Sequence, residues 1–252
     1  MPETAPRTLK LTIQYDGTEY VGWQRQANGV SVQGLLEEAL RPVEGAHVNV
    51  FGAGRTDAGV HALGQVASFR LTVSIPPQRL VRALNAVLPP DIRVIDAQDV
   101  APDFHARFSA TGKVYEYRII NDQAVSPFLR RFVWQVIPPL DLDAMRQASA
   151  LLIGRHDFAA FQAVRANVRS TERTIRRLDW IEGMGTDLPL VMQIEGDGFL
   201  RHMVRTIAGT LVQIGLRRWP VEYLSDILAS RSRISAGTTA PAAGLFLVRV
   251  LY

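Results

Sequence analysis

The chain has 252 residues, of which 47% are hydrophobic, and a formal net charge of +4, a length that suits one large domain or two of about half the size. Cysteine is absent, which excludes disulfides, thiolate catalysis and cysteine-ligated metal. No apolar run approaches the ~18 residues of a membrane span, and Met1–Lys10 lacks the apolar core of a secretory signal, so a cytoplasmic protein with no membrane partner is expected. Of the 28 basic residues only Lys10 and Lys113 are lysine, and the other 26 are arginine. Genome base composition explains part of that bias. The guanidinium fork also binds phosphate oxygens in pairs, and the arginines cluster in the second half of the chain, so a nucleic-acid partner is the functional alternative.

In chain order, Leu9, Leu11, Ile13 and Tyr15 alternate with polar residues and predict a half-buried strand that ends at Asp16-Gly17. Val32–Val43 reads as an amphipathic helix capped by Ser31. A short strand over Val48–Phe51 leads into a glycine-rich loop, and Gln65–Leu71 is the next strand. Pro76-Pro77 opens a helix over Gln78–Val87, Pro89-Pro90 closes it, and Ile92–Ile95 is a strand. This is a β-α-β-β-α-β order, the ferredoxin-like arrangement.

A second part begins between Asp103 and Ala110. It predicts strands at Lys113–Ile120, Thr174–Ile181, Leu190–Glu195 and Leu245–Leu251. Helices are expected at Leu142–Ile153 (Asp141 cap, Gly154 stop), Leu200–Ile214 and Val221–Leu228. The expected architecture is therefore α+β: two ferredoxin-like (RRM-like) halves, residues 1–106 and 107–252, with mixed or antiparallel sheets flanking a central catalytic cleft.

The most informative run is Phe51-Gly52-Ala53-Gly54-Arg55-Thr56-Asp57-Ala58-Gly59-Val60-His61-Ala62. Small residues crowd the backbone around one carboxylate, and such loops present a side chain instead of filling a core. A dinucleotide-binding fingerprint is excluded: its third glycine position is Asp57, no helix pattern opens there, and a carboxylate repels pyrophosphate. Taken alone, Asp57 reads as a turn or capping residue. The five histidines are scattered without ligand spacing, so no metal site is expected.

The run Gly54–Ala62 followed by Gly64-Gln65-Val66 resembles the TruA family of tRNA pseudouridine synthases. Further stretches carry the same resemblance in the family's order. They are Tyr15-Asp16-Gly17-Thr18, Gly22-Trp23-Gln24, Ser31-Val32-Gln33, Phe104-His105-Ala106-Arg107, Lys113-Val114-Tyr115-Glu116-Tyr117, Phe199–Arg205 and Gly244-Leu245. The resemblance implies a homodimeric, cofactor-free isomerase that converts uridine to pseudouridine at positions 38, 39 and 40 of the tRNA anticodon stem-loop.

It implies Asp57 as the catalytic carboxylate, paired with Arg205. Arg55 would help extrude the uridine, Tyr115 would stack on the flipped uracil, and Leu245 would pack beneath it. Arg165, Arg169, Arg173 and His202 would contact RNA. Periodicity by itself makes Arg205 a solvated arginine off the Met203/Val204/Ile207 stripe, and Tyr115 a core tyrosine.

The chemistry fits one carboxylate. Glycoside hydrolysis uses two, whereas an isomerase adds no water and keeps its leaving group bound. Attack on the sugar C1′, attack on uracil C6 and abstraction of a sugar proton all remain open for Asp57. Two other classes compete: an RNA-binding protein of the same fold without catalysis, and a nucleoside-hydrolase-like enzyme, which lacks an evident second carboxylate.

Overall fold

The computed structural model describes residues 6–164, 168–183 and 188–252. In chain order the strands and helices are β1 (Arg7–Tyr15), α1 (Val32–Glu44), β2 (Phe51–Gly52), β3 (His61–Leu71), α2 (Pro77–Val87), β4 (Ile92–Val100), β5 (Gly112–Ile120), β6 (Trp134–Gln135) and α3 (Leu142–Ala150). They continue as β7 (Gly154–Asp157), β8 (Glu172–Ile181), β9 (Leu190–Gly196), α4 (Met203–Gly215), α5 (Tyr223–Ser230) and β10 (Leu245–Leu251). The protein is α+β. The chain forms two compact units, one of residues up to Thr111 together with Leu247–Tyr252, the other of Gly112–Phe246.

The first unit orders its strands β4-β1-β3-β10, with β2 also on β3. β1 pairs antiparallel with β3 and with β4. Its alternation is the expected one: Leu9, Leu11 and Ile13 are fully buried, and Leu9 and Leu11 stand opposite Phe69 and Ala67. Thr8, Lys10 and Thr12 face the other side with Arg70, Ser68 and Val66. α1 buries Val32, Leu36 and Leu40, one turn apart. Ser31 accepts a hydrogen bond from the Gly34 N–H at 3.2 Å, and Gly45, at φ 78°, returns its N–H to Arg41 O. On α2, the Asn85 amide clamps β4 by giving to Val94 O and accepting from Val94 N, both at 2.8 Å.

Three elements of this unit depart from the sequence expectation. β3 begins at His61 instead of Gln65, its first pairing joining Ala62 to Tyr15 of β1. β4 runs to Val100 because Asp96–Val100 pair with Thr8–Thr12, although their side chains are largely polar and carry no apolar alternation. The strand expected over Val48–Phe51 shrinks to Phe51–Gly52, since side chains of α1 take the backbone bonds of Val50. Gln33 Nε2 donates to Val50 O at 2.9 Å, and Val50 N donates to Glu37 Oε1 at 3.5 Å.

The second unit orders β5-β9-β8-β7, with β6 parallel to β5 and the other pairings antiparallel. Its core takes Tyr117, Ile119, Met192 and Ile194 from the sheet and Met145, Ala148, Ile207 and Leu211 from α3 and α4, all fully buried. Asp141 caps α3. The bond from Ala144 N, helped by the Arg217 guanidinium, holds its carboxyl below the usual range. The helix stops at Ala150, three residues before the expected end, and Gly154, at φ 109°, opens the four-residue β7 instead of serving as the helix stop. α4 begins at Met203 because His202 adopts left-handed geometry, φ 65°.

α4 is also more deeply buried than its apolar stripe suggests. Thr206 and Thr210 are fully buried, Thr210 Oγ1 donates to Thr206 O at 2.8 Å, and Gly237 N donates to Thr210 Oγ1 at 3.0 Å. Gly209 lies in this helix where a Cβ would sit 1.9 Å from Thr238 O. A helical glycine ordinarily gains ~1 kcal/mol on replacement by alanine. Here the carbonyl occupies the space, so Gly209→Ala is expected to cost roughly 1–3 kcal/mol. Urea denaturation checks the sign.

Candidate active site

The glycine-rich loop between β2 and β3 is held in place by three separate segments of the first unit. From β1, the Tyr15 hydroxyl shares a buried 2.8 Å hydrogen bond with Thr56 Oγ1. From the 16–24 segment, Trp23 N donates to Thr56 O at 3.1 Å, and Gly17 N donates to His61 Nδ1 at 3.0 Å. From β3, Gln65 Nε2 donates to Gly54 O at 2.9 Å, while Ala53 N donates to Val66 O at 2.8 Å. Inside the loop, Val60 N closes a turn onto Asp57 O at 3.1 Å.

Close approach explains two glycines. A Cβ on Gly22, whose φ is 106°, would lie 2.5 Å from Thr56 O, and one on Gly52 would lie 2.4 Å from the Trp23 ring. The 16–24 segment is in turn tied to α1: Gln33 N donates to Trp23 O at 3.0 Å, and Gln33 Oε1 accepts from Gln24 Nε2 and Arg25 N, both at 2.9 Å.

The loop thereby presents two charged side chains. Asp57 is half-buried, and Arg55 is exposed with its Nε donating to Gln24 Oε1 at 3.1 Å. Thr56 between them is buried. Burial pushes the Tyr15 phenol up to about 12, with hydrogen bonds to Thr56 and Gln65 pulling the other way. Tyr15 therefore stays neutral in the working range and serves as a fixed hydrogen-bonding post. Tyr15, Trp23, Thr56 and Gln65 are the residues that sequence reasoning did not assign. Each stands inside a quoted motif, but pattern alone does not say what it touches.

The second unit carries Tyr115, Arg205 and Leu245. Tyr115 is buried on β5 opposite Ile194, with its ring edge-on to Phe199 at 5.2 Å and 82°. Arg205 on α4 is half-buried, not fully solvated: its Nε donates to Ala240 O at 2.7 Å, while Ala240 N donates back to Arg205 O at 3.2 Å. Tyr117 lies in the same region. It donates to Pro241 O at 2.8 Å, and burial raises its phenol well above the ordinary value while the Arg205 charge acts in the opposite sense. Gly244 leaves room for the Tyr117 ring, since a Cβ there would come within 2.8 Å of Cζ. Leu245, the next residue, is buried at the start of β10. Arg205, Tyr117 and the 240–245 segment thus form one cluster.

Among the other candidates, Arg169 is exposed, Arg173 lies on β8 with its guanidinium on Ser170 O at 3.0 Å, and His202 is the left-handed residue that opens α4. Arg165 lies outside the described residues. Among the described residues no group of three metal-ligating side chains comes together, and no helix is long and apolar enough to cross a membrane.

A carboxylate on a rigid loop, flanked by an arginine, can act as nucleophile or base in a reaction at a sugar or a base. The sequence profile of the tRNA pseudouridine synthase family matches residues 11–109 and 148–252. A tRNA pseudouridine synthase A of Myxococcus xanthus is 50% identical over 244 residues, covering 97% of this chain and 91% of that protein. One of Moorella thermoacetica is 48% identical over 247 residues, 97% of this chain and 99% of that protein. One of a Thermoanaerobacter species is 46% identical over 246 residues, 98% of this chain and all of its own. The chain belongs to the tRNA pseudouridine synthase family.

Replacing Tyr15 by phenylalanine tests the loop's support. Loss of the bond to Thr56 is expected to cost about 1 kcal/mol at neutral pH. The raised phenol contributes stability that is complete below pH ~10, the unfolded value, and is lost as pH rises through about 12. Denaturant unfolding at rising pH is therefore expected to show a shallower decline across that window for Tyr15→Phe than for the wild type.

Proposed function

We propose that the protein isomerises uridine to pseudouridine at positions 38, 39 and 40 of the tRNA anticodon stem-loop. The observation that carries this reading is Asp57 on a loop braced from three sides by Tyr15, Trp23 and Gln65. Placement of one reacting group within fractions of an ångström is what a single-carboxylate mechanism needs. The reaction breaks the bond from C1′ to N1, turns the uracil, and joins C5 to C1′; the C5 proton is lost and N1 gains one, so no atom is added or removed. An ionised Asp57 serves whether it attacks C1′, attacks C6 or removes a sugar proton.

Arg205 is the cation we assign to that carboxylate. An opposite charge favours the ionised form, and the Ala240 carbonyl fixes the guanidinium's direction. Arg55 takes the place of the extruded uridine in the stem, Tyr115 stacks on the uracil, and Leu245 packs beneath it. Arg165, Arg169, Arg173 and His202 contact RNA, with Arg169 exposed for a phosphate. The β4-β1-β3-β2 arrangement, antiparallel where its register is seen, supports a ferredoxin-like (RRM-like) reading of the first half. A cytoplasmic homodimer acting without a cofactor completes the proposal.

Pseudouridine mapping by carbodiimide and primer extension, on tRNA treated with wild type and with Asp57→Asn, tests the reading. Product at 38–40 with wild type and none with the variant is expected. Product from the variant would remove Asp57 from the mechanism, and tight binding without product from either protein would favour an RNA-binding role. Separately, Arg169→Ala is expected to weaken tRNA binding with little change in kcat. It should also reduce the slope of log Kobs against log salt by about 1, as loss of one phosphate contact does. Filter binding at several salt concentrations measures it.

A further inference from the structure

The Phe104-His105-Ala106-Arg107 motif takes no part in the chemistry above, yet it builds a distinct surface on the first unit. Phe51, His105 and Phe108 form a ladder of rings: Phe51 to His105 is 5.0 Å between centroids at 41°, and His105 to Phe108 is 4.4 Å at 37°. Both outer rings face solvent, with Phe51 49% exposed and Phe108 76% exposed. Large apolar rings so exposed commonly mark an interaction site. The Arg107 guanidinium lies 5.6 Å from the Phe108 centroid, which sets a cation beside the outermost ring.

The ladder is rigid before anything binds. His105 Nδ1 accepts from Arg107 N at 3.1 Å and from Phe108 N at 3.4 Å, and His105 O accepts from Ser109 N at 2.9 Å. Ala106 is fully buried; its N–H donates to Ser68 Oγ at 2.9 Å, and its carbonyl accepts from the Tyr252 hydroxyl at 2.8 Å. Phe51 pairs with Ser68 across β2 and β3, so it faces the same side as the anchored turn. Beside the ladder a cavity of roughly 410 Å³ is lined by Phe51, His105 and Arg70 among others. Phe51 itself stands six residues before Asp57, at the entry to the catalytic loop.

Preordered, solvent-exposed rings with an adjacent guanidinium are the elements from which single-stranded RNA sites are made: each base stacks on a ring and a cation meets the backbone. We infer that the Phe51–His105–Phe108 ladder is a stacking platform for an unpaired base of the tRNA, other than the reacting uridine, with Arg107 placed for its phosphate. This rests on the reading of tRNA as substrate. Phe108 is the outermost ring and takes the base, while His105 and Phe51 back it.

Steady-state kinetics on tRNA with wild type, Phe108→Ala and Phe108→Trp test the inference, together with filter binding. Phe108 lies outside the buried core, so neither change opens a cavity there. Stacking on one ring is worth between about 5- and 150-fold in affinity. Phe108→Ala is therefore expected to raise KM and Kd by that factor, leaving kcat within about two-fold, and Phe108→Trp is expected to restore both. Unchanged KM and Kd in Phe108→Ala would overturn the inference, as would an altered oligomeric state with unchanged KM, which would make the ladder a protein interface. If the wild type made no pseudouridine but Phe108→Ala still lost RNA affinity, the functional reading would fall and the platform would stand.

Discussion

The hydrogen bond between the Tyr15 and Thr56 hydroxyls joins the first strand to a loop 41 residues further on, and the glycine-rich loop that carries Asp57 is arranged around it. A glycine-rich segment has the most backbone freedom to lose on ordering. It is ordered here by bonds that approach Thr56 from both sides, the Tyr15 phenol on the side chain and the Trp23 amide on the carbonyl. Because these groups are buried, breaking one leaves an unsatisfied polar atom in a dry place, so the arrangement resists partial loosening. The small residues at 22 and 52 follow from that closeness, since any side chain there would push the loop off its supports.

The second unit uses a different device for Arg205. A long cation on a helix would ordinarily sample many rotamers, but here the Nε is fixed on Ala240 O while Ala240 N holds the backbone of the same residue. The Nε bond fixes the plane of the guanidinium fork. Tyr117 packs into the same region with its phenol on Pro241 O. The closing segment is therefore shaped by residues of β5 and α4 that lie far from it in sequence.

Much of this was legible in the residue order. β1, α1, α2 and β10 were readable because each has an unambiguous period or cap: Leu9-x-Leu11-x-Ile13, Ser31 before an apolar face, and Pro77 at a first turn. The failures have local causes. Alternation cannot predict the polar half of β4, which is defined by its partner, Thr8–Thr12. The start of α4 is set by His202 in a left-handed conformation, which is uncommon for any residue but glycine and which an apolar stripe does not signal. The deep burial of α4 was hidden because Thr206 and Thr210 count as polar in a pattern, while both lie inside the core, the Thr210 hydroxyl bonded to Thr206 O and to Gly237 N. For the candidate site, the loop itself stood out, but its supports did not. A pairing such as Tyr15 with Thr56 depends on two strands lying side by side, and that is information of the fold, not of either motif.

The strand β10 has a consequence for the order of events in folding. Its last residues complete the sheet of the first unit, where Val248 O fills the space beside Gly64, Thr111 N donates to Leu251 O, and the Tyr252 hydroxyl reaches Ala106 O. During synthesis the whole second unit emerges before those residues do. The unit that bears Asp57 therefore waits, with one edge of β3 exposed, until the chain has passed Leu247, and its closure carries the entropy of a very long loop. An error in the last few residues would strike the unit made first and spare the one made last.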